Sequence, residues 1–197
     1  MLKILAAADL HGDRSIAERL SKKALKNNIE LIILAGDIFG ALKETDASIL
    51  NPFVENNQKV SFVLGNWESI DETNLLKQQS NAKNLENYYI TYNNVGIAGI
   101  GHGNWKLVSD EIGFQNVKRN FERMEPSKKI LVSHNHAEGS KAEFSGFRGD
   151  KILRKAVDIL QPDILISAHI HEAEGIEEKI GKTKIIQVGR KGTIIEL

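Results

Sequence analysis

The 197-residue chain contains no cysteine. That absence excludes disulfides, thiolate zinc sites, iron–sulfur clusters and a cysteine nucleophile, so any metal must be held by nitrogen and oxygen. An excess of charge of one sign is also lacking, because 26 Lys+Arg balance 26 Asp+Glu. The balance removes the electrostatic footprint of a general nucleic-acid binder, although a small phosphate ester held by metal ions stays compatible with it. No apolar run approaches a membrane span, and the opening MLKILAAADLHGD is apolar only briefly, without the long apolar segment of a signal peptide. The expectation is a cytoplasmic protein with no membrane partner. Repeats, linkers and low-complexity tracts are missing too. At this length, with 41% hydrophobic residues, one domain over 1–197 with one substantial core is expected. The spaced glycines of 99–103 are not followed by Lys-Ser/Thr, which argues against a nucleotide phosphate loop. No serine lies in a nucleophile-elbow motif.

What is present is a polar signature at the end of one apolar run after another. LKILAAA leads into Asp9-Leu10-His11, LIILA into Gly36-Asp37, and VSFVL into Gly65-Asn66. ILVS leads into His134, and DILIS into Ala168-His169-Ile170-His171. Short unbroken apolar runs of this kind read as buried strands. In open α/β sheets ligands bind beyond the carboxyl ends of strands. Asp9, His11, Asp37, Asn66, His134, His169 and His171 therefore all fall where a site is expected. In Asp9-x-His11 and His169-x-His171, residues two apart lie on one side of an extended segment and can converge. Several imidazoles with carboxylates, one of them able to bridge, are the donor inventory of two divalent ions.

The intervening segments alternate in type. Residues 2–8, 31–35, 60–64, 129–133 and 163–168 read as strands. Helical spacing is found over 15–28 with Ser15 as N-cap, 47–57 with Pro52 delaying or bending it, 71–79, 110–124 and 150–160. The stretch 88–100 reads as a hairpin turning at Asn93-Asn94. Residues 135–149 form a long Gly- and Ser-containing loop of the kind that is usually functional. The tail 175–197 alternates like a meander. The predicted class is α/β, with two packed mixed β-sheets flanked by helices.

The ordered set Asp-x-His, Gly-Asp, Gly-Asn-x-Glu, His and Ala-His-x-His resembles the calcineurin-like metallophosphoesterases along essentially the whole chain. The tail His169–Gly175, followed by a hairpin containing Ile180-Gly181-Lys182-Thr183, is similar to a compact prokaryotic branch grouped with cyclic-nucleotide phosphodiesterase-like proteins. The resemblance implies a four-layer α-β-β-α sandwich with two divalent metal ions drawn from Mn, Fe, Zn, Ni or Co. It places Asp9, His11 and His171 on one ion, Asn66, His134 and His169 on the other, and Asp37 between them. The implied reaction is attack of a metal-activated hydroxide on a small phosphate-ester substrate. Two other readings stay open: a metal-retaining scaffold with little turnover, and a nuclease. Oligomeric state is also open, with a homodimer among the options.

The chain departs from the family at several positions, chiefly at the residue after Asn66, with Ala168 also replacing the usual Gly before the His pair. Where relatives carry Gly-Asn-His-(Asp/Glu), this chain has Gly65-Asn66-Trp67-Glu68. Indole donates an N–H but cannot act as a general acid near neutral pH, and loss of such an acid costs about 10²–10⁴-fold when the leaving group needs protonation. Phosphodiesters with a good leaving group are therefore favoured as substrates. His136 in the long loop and His102 in Gly101-His102-Gly103 are the candidate replacement acids. Arg148 is a candidate phosphate clamp, because a guanidinium matches that geometry. Trp67 is either an apolar wall for a base or aromatic group or packing under the loop. Glu68 either supports the metal shell or favours a helix start. Gln187-Val188-Gly189 stands where relatives often show Asn-Pro-Gly, with no catalytic effect expected.

Overall fold

A computed structural model describes residues 1–40, 47–69, 74, 76, 81–86, 88–101 and 109–197. His102 and most of the helix expected over 71–79 lie outside the described residues. The described strands form a five-stranded and a six-stranded sheet. In the first, β1 (Lys3–Ala7), β2 (Leu31–Ala35), β3 (Val60–Val63) and β4 (Ala82–Asn84) run parallel, and β11 (Thr193–Glu196) closes the edge antiparallel to β1. In the second, β6 (Val95–Ile100), β7 (Lys128–Ser133), β8 (Ile164–Ser167) and β10 (Thr183–Gln187) run parallel. Its antiparallel edges are β5 (Tyr89–Tyr92) and β9 (Glu177–Ile180).

The central parallel strands, unlike the edge strand β4, are buried on both faces, which is why they read as unbroken apolar runs rather than alternating ones. Side-chain alternation divides each strand between two layers. From the first sheet, Ile4, Ala6, Ile33 and Val63 point inward to meet Ile97, Val132 and Ile166 of the second. Each fully buried aliphatic side chain of Val or Ile size contributes about 1.5–3 kcal/mol. The alternate positions Leu5, Ile32, Leu34 and Phe62 pack outward on α1 (Arg14–Lys26) and α2 (Asn51–Glu55). On the far side, Ala98, Leu131, Leu165 and Ile185 meet α3 (Glu111–Arg123) and α4 (Lys151–Leu160). Helices thus cover both outer faces, as the sandwich expectation required.

Local chemistry sets most boundaries. Asp13, not Ser15, caps α1: its carboxylate accepts from the Ser15 N–H at 2.9 Å and from the Ser15 hydroxyl at 2.6 Å. Ser15 lies inside the helix, and its hydroxyl is itself a donor to the cap. Pro52 lacks an N–H and is tolerated only in the first turn, so the segment begins as a 3₁₀ turn, Ala47–Leu50, and becomes α-helical only at Asn51. Asp150 accepts from Ile152 N and Leu153 N at the start of α4, and left-handed Gln161 ends it before Pro162. The Asn93-Asn94 turn has both residues left-handed, φ 44° and 64°, as a two-residue primed hairpin requires.

The tail is not a single meander. β9 and β10 form a hairpin in the second sheet, but β11 crosses to the first and pairs with β1. Alternation cannot reveal this, because a strand's periodicity does not say which edge it joins. The short strand β4, only three residues long, was not expected either.

Candidate metal centre

The carboxyl ends of β1, β2 and β3 face those of β7 and β8, and seven polar side chains meet in the gap. Four of them need unusual backbone to get there. Asp9, His11, Asp37 and His169 have φ values of 58°, 46°, 51° and 71°. The left-handed region costs a side-chain-bearing residue roughly 1–2 kcal/mol and persists only where its surroundings impose it. Here the surroundings are hydrogen bonds between strand ends: Asp9 N–H to Gly36 O at 3.1 Å, and His11 N–H to Asp37 O at 2.9 Å. The glycines supply close approach. A Cβ on Gly36 would lie 2.6 Å from His134 Nδ1, and one on Gly65 would collide with the Asp37 carboxylate.

Two clusters result. Asp9, His11 and His171 form one, and Asp37, His134 and His169 the other; within each, one donor atom per residue lies within 4.8 Å of the others. In the first, His171 Nε2 is 3.5 Å and His11 Nε2 4.0 Å from Asp9 Oδ1. In the second, His134 Nε2 lies 3.2 Å from Asp37 Oδ2, 3.1 Å from Asn66 Oδ1 and 3.2 Å from His169 Nδ1. Asp37 stands between the clusters, its Oδ2 also 3.8 Å from His11 Nε2. All seven residues chosen from the strand ends are therefore brought together.

The donor set fits divalent ions on its own chemistry. Both carboxylate oxygens of Asp9 are buried and accept no hydrogen bond from the described residues, a costly state for a carboxylate without a cation to hold. His134 Nδ1 lies 2.8 Å from Ala35 O, and since a carbonyl only accepts, Nδ1 carries a proton and Nε2 is the nitrogen left to ligate a metal once its own proton is displaced. Nitrogen and oxygen donors without thiolate suit Mn, Fe, Co, Ni or Zn.

Burial and neighbouring charge drive the proton affinities of these groups apart. Burial opposes a charge on His134, but the hydrogen bond and charge of Asp37 override it and push the imidazole up to about 9. Burial would raise Asp37, yet the same partner holds its carboxyl below the usual range. Burial, reinforced by the charge of His134, pushes His169 down to about 4. His11 is lowered by burial despite the nearby carboxylates, and His171 is raised by the Asp9 carboxylate 3.5 Å away.

Glu68 is fully buried directly behind the ligands. Oε2 accepts from Asp37 N at 3.0 Å and Gly65 N at 2.5 Å, and Oε1 from Phe39 N at 3.1 Å. It thereby ties the loop after β2 to the loop after β3, the supporting role and not merely a helix-start preference. Burial and the charge of Asp37 push its carboxyl up to about 7, against the hydrogen bonds it accepts. Trp67 stands beside His11, ring centroids 6.2 Å apart and nearly perpendicular, while its backbone N–H donates to Asp37 Oδ1 at 3.1 Å.

A cavity of about 400 Å³ opens next to His169 and His171, lined also by His136, Phe147, Arg148 and Ile170. His136 Nε2 lies 3.2 Å from Phe147 O, so this nitrogen carries the proton, and burial lowers the imidazole's pKa. Arg148 is on the rim, its guanidinium bound to Glu138 Oε1 at 2.7 and 2.9 Å. Arg190, which the strand-end reading passed over, donates from Nε to Asp9 O at 2.7 Å. A basic residue directly after the Gln187-Val188-Gly189 departure was the available signal.

Among solved structures the fold matches TT1561 of Thermus thermophilus, with TM-score 0.76, 18% identity, and 96% of this chain and 90% of that one covered. It also matches a dimetal phosphatase from Danio rerio, with TM-score 0.67, 10% identity, and coverage of 96% and 88%. An archaeal phosphodiesterase superposes with TM-score 0.56, 14% identity, and coverage of 95% and 84%. Such identities establish the shared fold alone. No curated protein sequence matches closely enough to be called a relative. The class is settled by sequence: the family model for calcineurin-like phosphoesterases matches residues 2–173. The chain belongs to the calcineurin-like phosphoesterase family, and strands β9, β10 and β11 lie beyond the matched residues. No helix among the described residues is long and apolar enough to cross a membrane.

Proposed function

We propose that the protein is a two-metal phosphoesterase that hydrolyses phosphodiesters in preference to monoesters. The observation that carries the reading is Asp37, set between two clusters of nitrogen and oxygen donors, 3.8 Å from His11 and 3.2 Å from His134. In this reading Asp9, His11 and His171 would hold one ion, Asn66, His134 and His169 would hold the other, and Asp37 would serve both. Bound there, two divalent ions would polarise a phosphoryl group and lower the pKa of water to make a nucleophile. The chain's own residues do the remaining work. Glu68 and the left-handed strand ends hold the ligands in place, and the Trp67 ring limits the space beside His11. The cavity beside His169 and His171 accommodates the second ester group of a diester, with Phe147 and Ile170 as its apolar wall.

The diester preference rests on Trp67 and on that cavity. With no imidazole at position 67, substrates whose leaving group needs no proton are turned over best. The scaffold reading is disfavoured by the retention of all seven donors, which a scaffold has no reason to keep. The test is hydrolysis of bis-p-nitrophenyl phosphate with Mn²⁺, with Asp37→Ala and chelated protein alongside. Turnover in the native protein, lost in both controls, is the expected result. Bound metal without turnover of any ester would return the protein to the scaffold reading. Faster hydrolysis of alkyl monoesters than of aryl diesters would overturn the preference.

A further inference from the structure

The loop between β10 and β11 brings one cation to the metal centre, and its backbone is held on several sides. Ala8 N–H donates to Gly189 O at 3.1 Å, and Lys191 N–H to Glu174 Oε1 at 2.7 Å. From α1, Arg19 donates to Arg190 O at 3.1 Å, while Lys23 donates to Lys191 O at 3.1 Å and Gly192 O at 2.8 Å. The turn is closed by Gly192 at φ 72°, where a Cβ would meet Leu20 Cδ2 at 2.7 Å. Arg190 therefore extends from a fixed base. Its Nε–H is anchored on the carbonyl of Asp9, the first candidate ligand, at 2.7 Å.

A guanidinium has five N–H donors, and the anchor uses one. Among the described residues no acceptor engages the four on the terminal nitrogens, and the residue is solvent-exposed. Its charge reaches the first cluster, acting on both His11 and His171. Arg148, the other arginine near the site, is instead committed to Glu138. An exposed planar fork, held at one nitrogen beside a phosphoryl site, matches two oxygens of a phosphate.

We propose that Arg190 is a catalytic residue, whose terminal N–H groups hold non-bridging oxygens of the substrate phosphate beside the Asp9 cluster. It supplies from the tail of the chain the charge stabilisation that Trp67 cannot provide from the β3 loop. The inference rests on the phosphoesterase reading for its substrate class, a phosphate ester. The contact to a phosphate anion can be tested without turnover.

The experiment compares native protein with Arg190→Ala and Arg190→Lys, each loaded with Mn²⁺. Lys191→Ala, which changes a neighbouring exposed cation, serves as control. Four quantities are read: metal content, melting temperature, binding of inorganic phosphate by calorimetry, and kcat and KM on bis-p-nitrophenyl phosphate. Arg190→Ala should keep its metal and melting temperature, bind phosphate at least about tenfold more weakly, and lose about 10²-fold in kcat/KM. Arg190→Lys should recover part of both losses, and Lys191→Ala should match native protein. Unchanged phosphate affinity in Arg190→Ala overturns the proposal. Loss of metal or melting temperature in both Arg190 variants also overturns it, because the residue then acts only by positioning Asp9. If no ester is turned over by native protein, the phosphoesterase reading fails, and the phosphate affinities still decide for or against the Arg190 contact.

Discussion

Replacing Glu68 by glutamine should abolish a specific pH dependence of stability in the metal-free protein. The native carboxyl is fully buried, and burial together with the charge of Asp37 raises it from 4.5 to about 7. The folded state thus binds this proton more tightly than the unfolded chain does. The stability it contributes is fully present below pH 4.5 and is lost as pH rises through 7. At 1.36 kcal/mol per pH unit, the interval from 4.5 to about 7 is worth about 3 kcal/mol in full. Between pH 5 and pH 8 the loss is roughly 2–3 kcal/mol, a large share of a typical 5–15 kcal/mol total. Glutamine cannot titrate, and only its single oxygen can accept from the three N–H groups of Asp37, Phe39 and Gly65. Urea denaturation of native protein and Glu68→Gln at both pH values, with chelator present, measures the effect as a double difference. Native protein should be favoured over the variant by roughly 2–3 kcal/mol more at pH 5 than at pH 8. A difference that does not change with pH would refute the assignment of a raised pKa to Glu68.

Three further outcomes are expected. Because a metal must displace the proton that His134 holds up to about 9, Mn²⁺ affinity should fall by up to about tenfold per unit as pH drops below that value. Calorimetry in buffers of different ionisation enthalpy would show the accompanying proton release, and pH-independent affinity would contradict it. Gly65→Ala drives a Cβ into the Asp37 carboxylate, so it should cost about 1–3 kcal/mol or more in urea denaturation and release metal on dialysis. A fully metallated, native-stability variant would show that the β3 loop gives way freely. Trp67→His restores a proton donor beside the site and should raise turnover of alkyl phosphate esters by about 10²-fold while changing activated aryl diesters little. Equal effects on both classes, measured by steady-state kinetics, would show that leaving-group protonation is not what Trp67 removes.

The candidate ligands are legible in the amino-acid sequence because the physics involved is local. A run such as LIILA is buried on both faces, so it must be continuously apolar. Where apolarity stops, the strand stops, and a polar residue there lies at the sheet's carboxyl edge. Asp9, Asp37, Asn66, His134 and His169 all follow that rule. The same logic exposes Trp67 as a departure, since its neighbours Asn66 and Glu68 fix its place in the motif. The cap of α1 lies two residues from its expected place because both Asp13 and Ser15 are good capping types, and only backbone geometry chooses between them.

What periodicity could not contain is long-range pairing. The division of ligands into two clusters required the second sheet to face the first, bringing His134 to Asp37 and His171 to Asp9. Glu68 became a clamp only when the β2 and β3 loops lay side by side, with its oxygens on N–H groups 29 and 31 residues away. Arg190 reaches Asp9 across 181 residues because β11 leaves its sequence neighbours and pairs with β1. Residue types and local spacing therefore define which groups stand at strand ends. Which of them meet, in what protonation state and beside which cation, is decided by packing, because burial and charge act through space rather than along the chain.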